Sequence, residues 1–317
     1  MRLTRFACFL AAGTSGLGVL AKVYGVASMR LVTIAVAIPC CIALTLVALK
    51  SPHQKLAAMI KLGALGGLLG TFAYDVVRIP FHLAGQRIFA PIAAYGIWIG
   101  DASASSRFTD VIGWAYHFSN GITFGIMYAL VLFGRSWGWA VLWGLVLETI
   151  ALASPFARIF SIAGNYSAIS VAYMGHIAWG IPLGLVIQHH ARVESFLARM
   201  SGTVKWASLA LACAALASPI FIPRNIERDR AVVPGEFLRD GDRLVPAWQR
   251  IQRGGHASLR NPANDSIWVR VRDADIRIAP HTAAVIEFPN PGIYQVFVET
   301  HSRSRSSFVI VEPVEDR

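Results

Sequence analysis

Apolar residues along the chain fall into seven long runs, which are followed by a tail of different texture. The runs cover residues 6–27, 31–49, 56–77, 110–133, 137–154, 168–188 and 204–222. A membrane-spanning helix needs about 20 mostly apolar residues, so each run predicts one span. The stretch 88–100 is apolar but short and proline-flanked, which favours a re-entrant or interfacial segment. The pattern therefore predicts an α-helical polytopic membrane bundle of about seven spans over residues 1–223.

After residue 223 the pattern changes to short segments in which apolar and polar residues alternate. Ile267, Val269 and Val271 alternate with Trp268 and two arginines, and a similar alternation follows at 284–288. A turn at 290–292 precedes predicted strands at 293–299 and 308–311. Several strands within about 70 residues, without helical periodicity, predict an all-β sandwich domain over residues 224–317.

The tail resembles a cupredoxin-like domain, in which a proline-glycine turn and an aromatic strand precede a ligand loop and a valine-rich closing strand. The matching positions are Pro291, Gly292, Tyr294, His301, Val309 and Val311. A blue-copper centre needs a cysteine thiolate and usually an axial methionine. Cys213 is the last cysteine and Met200 the last methionine of the chain, and both precede the tail. The resemblance therefore implies a cupredoxin-like fold without blue-copper ligands.

Composition narrows the class of protein. Hydrophobic residues make up 55% of the 317-residue chain and charged residues only 15%, whereas soluble domains average about 25% charged residues. The net charge of +11 lies almost entirely before residue 224, where 15 Lys and Arg face five Asp and Glu. Positive residues concentrated between apolar runs are typical of membrane loops. We therefore expect the lipid bilayer as a partner, and no nucleic acid.

The distribution of Lys and Arg also predicts orientation, since positive loops stay on the cytoplasmic side. Arg2 and Arg5 precede the first run, and four of the five lysines fall at or near the same side. Seven spans then place the β domain on the opposite side. The sequence thus predicts a bacterial inner-membrane protein with a cytoplasmic N-terminus, an uncleaved first span and a periplasmic β domain. A periplasmic protein partner of that domain is expected.

Four ionisable residues stand out inside the predicted spans: Asp75, His117, Glu148 and His176. At 1.5 Å per helical residue, the last three lie roughly 9–12 Å below the outer surface, and Asp75 lies somewhat shallower. Ionisable residues at such depth are costly and mark functional sites by default. The membrane region holds only five acidic residues, so the presence of two in one layer is not a consequence of composition.

Two imidazoles and two carboxylates form a ligand set for a divalent transition metal such as zinc, iron, manganese or copper. Ligands that converge from facing helices occur in carboxylate-histidine bundle proteins, although this chain lacks their Glu-x-x-His pairs. Further side chains near the four in sequence are expected to support such a site. They are Arg78, His82, Asn120, Tyr74, Tyr116 and Tyr173.

The first functional hypothesis is a membrane metalloprotein that acts on a lipid or small hydrophobic substrate, with one carboxylate as general base. Three alternatives stay open for the same residues. One is a structural network, with an Asp75–Arg78 pair and a hydrogen bond between Glu148 and His117 or His176. The others are a proton or ion relay and b-type haem held by His117 and His176. A non-enzymatic transporter or partner-binding protein is the second hypothesis. The membrane region is similar to uncharacterised bacterial multi-span families, which implies no particular function.

Overall fold

The protein is described by a computed structural model over residues 2–84, 88–203, 234–241, 243–271, 274–299 and 305–312. Contacts divide the chain into two units. The first unit is helical and combines the chain up to Tyr95 with the helical residues from Gly113 onward. The second unit combines Gly96–Ile112 with the C-terminal strands. The candidate site lies entirely within the first unit.

Helices fill the N-terminal two thirds of the described chain. They are α1 (Arg2–Val23), α2 (Met29–Val32), a π-helical turn (Thr33–Ala37), α3 (Ile38–Lys50), α4 (Gln54–Leu83), α5 (Ala90–Gly100), α6 (Arg107–Leu132), α7 (Gly138–Ala153), α8 (Phe156–Ile159), α9 (Tyr166–Gln188) and α10 (His190–Arg199). The second predicted span is one continuous helical stretch, because α2, the π-helical turn and α3 follow one another without a break.

Four helical stretches among the described residues are long and apolar enough to cross a membrane: Arg2–Val23, Met29–Lys50, Gln54–Leu83 and Tyr166–Gln188. This finding supports a membrane protein. The predicted spans 110–133 and 137–154 are also helical. Helix α6 is continuous, but polar residues interrupt its apolar sequence, and α7 has only 16 residues. The short stretch before residue 100 forms α5, with 11 residues. The predicted span 204–222 lies outside the described residues.

Glycines allow the helices of the first unit to pack closely. A Cβ atom on Gly70 of α4 would lie 2.5 Å from the carbonyl oxygen of Trp179 in α9. A Cβ atom on Gly63 would lie 2.7 Å from the Cα atom of Ile126 in α6. Small residues at helix interfaces let backbones approach where larger residues would hold them apart. Helix α4 is thereby seated directly against both α6 and α9.

The C-terminal strands form two sheets that enclose one apolar core. The strands are β1 (Glu236–Asp240), β2 (Arg243–Val245), β3 (Trp248–Gln252), β4 (His256–Arg260), β5 (Ile267–Val271), β6 (Ala274–Ile278), β7 (Ala283–Glu287), β8 (Gly292–Glu299) and β9 (Arg305–Glu312). Their order is β2-β1-β4-β7 in one sheet and β3-β9-β8-β5-β6 in the other. Phe237 and Leu259 from the first sheet pack with Val269 and Val296 from the second.

The expected alternation is confirmed in β5, where Ile267, Val269 and Val271 are buried while Trp268 is 48% exposed. The predicted turn at 290–292 leads into β8. The predicted strand 293–299 corresponds to β8, and the predicted strand 308–311 lies within β9. The β-sandwich-like architecture is therefore present. The finer cupredoxin resemblance stays a prediction, and its ligand-loop position, residue 301, lies outside the described residues.

The α5–α6 connection pairs with the edge of the five-stranded sheet, which no sequence pattern predicts. The Arg250 amide donates a hydrogen bond to the Ser103 carbonyl at 2.7 Å, and the Ser105 amide donates to the Trp248 carbonyl at 3.1 Å. The Arg250 guanidinium also lies 2.7 Å from an Asp101 carboxylate oxygen. The second unit therefore contains a short segment that lies between two helices in sequence.

Candidate functional site

Each of the four predicted site residues lies on a different helix of the first unit: Asp75 on α4, His117 on α6, Glu148 on α7 and His176 on α9. The close packing of α4 against α6 and α9, and of α7 against α9, brings these helices together. At Gly144, one turn before Glu148, a Cβ atom would lie 2.8 Å from the His176 carbonyl oxygen. The helices that carry the site are therefore packed backbone to backbone.

The first pair joins α4 to α6. His117 Nε2 lies 3.0 Å from Asp75 Oδ1 and 3.1 Å from Oδ2, and the two side chains are only 14% and 12% exposed. An ionised carboxylate can only accept hydrogen bonds, so Nε2 is assigned the hydrogen and donates it. The other ring nitrogen of His117, Nδ1, is then the acceptor in the neutral ring.

The second pair joins α7 to α9. His176 Nδ1 lies 3.0 Å from the Ala172 carbonyl oxygen and 3.1 Å from Glu148 Oε2. Both of those oxygens are acceptors, which assigns the hydrogen to Nδ1 and leaves Nε2 as the acceptor in the neutral ring. The Glu148 side chain is 7% exposed. A carboxylate this deeply buried depends on nearby donors or positive charge for its stability.

Arg78 and Tyr74 lie between the two pairs. Arg78 Nη1 is 3.9 Å from Asp75 Oδ1, and its guanidinium carbon lies 4.2 Å from the centre of the Tyr74 ring. The Tyr74 ring centre is in turn 5.8 Å from that of His117 and 5.0 Å from that of His176. One aromatic ring therefore contacts both histidines, and the positive charge that compensates Asp75 lies against that ring.

Gly175 provides the space that Tyr74 and Arg78 occupy. A Cβ atom on Gly175 would lie 2.7 Å from Tyr74 Cε2 and 3.1 Å from Arg78 Cδ. Any larger residue at this position would push on both side chains. Gly175, directly before His176, thus determines where Tyr74 and Arg78 lie.

Two of the predicted supporting residues lie against other partners. His82 is exposed near the end of α4, with its ring centre 5.3 Å from that of Phe89. The Tyr173 hydroxyl lies 3.1 Å from the Thr149 hydroxyl rather than against His176. The short distance of these residues from Asp75 and His176 in the sequence did not indicate which partners their side chains contact.

The remaining two predicted supporting residues lie on α6 on either side of His117. The Tyr116 hydroxyl donates a hydrogen bond to the Ser15 carbonyl of α1. Asn120 Oδ1 is buried and has no hydrogen-bond partner among the described residues. Of the six supporting residues named from sequence, Arg78 and Tyr74 are the two that contact members of the pairs.

The structure thus groups the four predicted ligands into two pairs rather than one cluster. No group of three or more His, Cys, Asp or Glu side chains that could hold a metal occurs in the described part of the chain. Metal binding by Asp75, His117, Glu148 and His176 stays a prediction.

Two neighbours of the site, Trp114 and Gly175, were missed in the sequence. The Trp114 ring centre lies 5.7 Å from that of His117 in an edge-to-face arrangement. The i,i+3 spacing of the two residues on α6 was the available signal, because side chains three apart share a helix face. Gly175 carried no such signal, since its importance depends on what α4 places opposite it.

Comparison of the chain with protein-family models, curated proteins and solved structures found no match.

Proposed function

We propose that this chain is an integral membrane protein whose two carboxylate–histidine pairs form a proton relay, in a transporter or another proton-coupled membrane protein. The observation that supports this most directly is the pairing itself. Each histidine has one ring nitrogen beside a carboxylate, and both histidine rings lie against the Tyr74 ring. Chains of Asp, Glu and His inside membrane bundles are typical of proton paths.

The chemistry follows from the ring nitrogens. Neutral His117 accepts a proton at Nδ1 and becomes an imidazolium that Asp75 stabilises through Nε2. Release of the Nε2 proton to Asp75 returns the ring to its neutral form and leaves the proton on the carboxyl group. His176 performs the same steps with Nε2 as the acceptor and Glu148 beside Nδ1. Each pair can therefore take up a proton on one side and release it on the other.

Arg78 links the two pairs electrostatically. Besides its position near Asp75, its charge acts on both Glu148 and His176. Two carboxylates and one guanidinium carry a net charge of −1 while both histidines are neutral. One bound proton makes the group neutral, and a second proton makes it positive in an apolar environment, which is unfavourable. The relay is thus expected to carry one proton at a time.

The finer architecture belongs to the same proposal. We place seven spans in a bacterial inner membrane, with the N-terminus in the cytoplasm and a cupredoxin-like β domain in the periplasm. Lys and Arg bias supports the orientation, and the apolar run 204–222 supports the seventh span. The two-sheet tail and the buried closing strand β9 support the cupredoxin-like fold. A periplasmic protein is the proposed partner of that domain.

A membrane metalloprotein is the second candidate, and one observation favours it. Histidines that bind metals usually donate their other ring N–H to a carboxylate or backbone carbonyl, which His117 and His176 both do. In that case His117 Nδ1 and His176 Nε2 are the ligand atoms, and Asp75 and Glu148 support them instead of binding the metal. The substrate class would be a lipid or small hydrophobic molecule.

Proton flux into liposomes tests the relay. The purified chain is reconstituted with a pH-sensitive dye inside the vesicles, and a potassium diffusion potential drives protons inward. We expect flux well above that of empty liposomes, and a loss of about tenfold or more in Asp75→Asn and Glu148→Gln. Glu194→Gln on the exposed helix α10 is the matched carboxylate control, and it should conduct like the native chain.

The two candidates give different outcomes. Flux equal to that of empty liposomes, or equal flux in all three variants, rejects the relay. Elemental analysis of the same preparations tests the metal: about one equivalent in the native chain that is lost in His117→Ala and His176→Ala supports the second candidate. Equal metal content in native and variant protein rejects it.

A further inference from the structure

Two sheets have four edges, and three of these edges are protected in the described structure. Residues 103–105 cover β3 through backbone hydrogen bonds. Strand β2 is only three residues long. Strand β6 carries Asp275 and Arg277, and charged side chains discourage pairing with another strand. Natural proteins protect edges in these ways because an open edge invites a further strand.

Strand β7 is the exception. It is the last strand of its sheet and has no neighbour on its outer side among the described residues. Its sequence Ala-Ala-Val-Ile-Glu contains no proline, glycine or lysine, and Val285 at its centre is 66% exposed. Edge strands of this kind are typical sites for strand addition.

The ladder shows which backbone groups of β7 are available. The Phe288 amide donates to the Gly255 carbonyl at 3.2 Å, and the Asn261 amide donates to the Thr282 carbonyl at 2.9 Å. Backbone groups of alternate residues point to opposite sides of a strand, so positions 282, 284, 286 and 288 face β4. The N–H and C=O groups of Ala283, Val285 and Glu287 therefore point to the open edge.

We propose that β7 pairs with β7 of a second copy of this chain, antiparallel and around a two-fold axis at Val285. In this register Val285 lies opposite Val285 of the second copy, and Ala283 lies opposite Glu287. Every outward-pointing residue then meets an outward-pointing partner, so each opposed pair exchanges both backbone hydrogen bonds. The two four-stranded sheets become one continuous eight-stranded sheet across an isologous interface.

Charge on the outer face agrees with a second copy as the occupant. Arg260 of β4 lies beside Ala283 in the register of the sheet. Its side chain is 63% exposed and lies 3.8 Å from Glu236 of β1. The two-fold axis brings Glu287 of the second copy to the far side of Ala283, whose small side chain leaves room for the arginine to reach it. Exposed ion pairs add little affinity, but the two symmetric pairs favour this register over a shifted one.

Disulfide cross-linking tests the register. In a full-length chain with its four cysteines changed to serine, Val285→Cys places two thiols on opposed residues about 5.5 Å apart at Cα, within the range a disulfide bridges. We expect mild oxidation of the protein in liposomes to convert most of it to a covalent dimer. Trp268→Cys, on the exposed face of the other sheet, is the matched control and should form no covalent dimer.

A second variant separates pairing from chance collision. Val285→Lys places two positive charges opposite each other, and we expect the dimer to dissociate at a protein concentration at least tenfold higher than for Val285→Thr. Equal cross-linking at 285 and 268, or an oligomeric state unchanged by Val285→Lys, overturns the proposal. Cross-linking of residue 285 to a different protein, with no self-linked dimer, overturns it as well.

Discussion

Arg78 carries the positive charge that a buried carboxylate of this bundle requires. Its side chain is only 7% exposed, and it lies between Asp75 and two aromatic rings, those of Tyr74 and Phe89. A guanidinium suits this position because it accepts aromatic contacts on its faces while its edge donates hydrogen bonds. The contribution of each charge to the stability of the bundle therefore depends on the presence of the other.

Removal of either partner alone should destabilise the bundle more than removal of both. Arg78→Met leaves Asp75 buried without its cation, a change that typically costs about 3–5 kcal/mol. Arg78→Met combined with Asp75→Asn removes both charges of this pair, so we expect the double variant to recover at least half of the lost stability. Thermal unfolding in detergent measures this, and additive losses would contradict the coupling.

Gly175 should be equally sensitive for steric reasons. Gly175→Ala forces Tyr74 and Arg78 to move by several tenths of an ångström, and overpacking of this kind typically costs about 1–3 kcal/mol. We expect the same variant to lower proton flux, because both side chains lie between the two pairs. Gly138→Ala at the start of α7 is the control, since nothing lies within 4 Å of the added Cβ atom. Equal behaviour of the two variants would contradict this role for Gly175.

The sequence singled out the four residues proposed for the candidate site, but not which of them pair. Depth along each helix was accessible, because a rise of 1.5 Å per residue converts position into height. The rotation of each helix about its axis was not, and that rotation places His117 against Asp75 while His176 faces Glu148. It is set by close contacts such as Gly70 against Trp179, which join residues far apart in sequence.

At the scale of elements, local pattern predicted more than long-range pairing. Apolar run length located α4 and α9, and period-two alternation located β5, because both signals are contained within one segment. The pairing of residues 103–105 with β3 joins positions more than 140 residues apart, and neither segment shows a distinctive pattern. Backbone hydrogen bonds form it, and these carry no information about side-chain type.

That pairing can be weakened selectively. Ser105→Pro removes the amide that donates to the Trp248 carbonyl, so we expect residues 103–105 to separate from β3. The Arg250 amide then loses its Ser103 acceptor, and its hydrogen exchange in the intact chain should accelerate by at least tenfold. Ser105→Ala, which removes only the hydroxyl that accepts from the Trp248 amide at 3.1 Å, should have a smaller effect. Unchanged exchange in Ser105→Pro would show that the pairing does not persist in the membrane.

For the whole molecule, the same pairing constrains how the chain crosses the membrane. Because residues 103–105 pair with β3, we expect the α5–α6 connection and the C-terminal sheets to lie on one side of the bilayer. If α6, α7 and α9 each cross once, the chain arrives after α9 on the opposite side. Its return needs one more crossing before β1, and the apolar run 204–222 is the segment in the sequence that fits. The parity of crossings thus supports the proposal of a seventh span by an argument that does not depend on charge.

Cysteine labelling in intact bacterial cells tests this topology directly. In a chain with its four cysteines changed to serine, Ser103→Cys should react with a membrane-impermeant maleimide before the cells are opened. His53→Cys, between α3 and α4, should react only after the cells are opened, because the positive-inside bias predicts a cytoplasmic position for that loop. A C-terminal alkaline phosphatase fusion should be active, since the enzyme folds only in the periplasm.

Protection of residue 103 together with an active fusion would separate the α5–α6 connection from the sheets and remove the parity argument. Protection of residue 103 together with an inactive fusion would invert the orientation and leave the number of crossings unchanged.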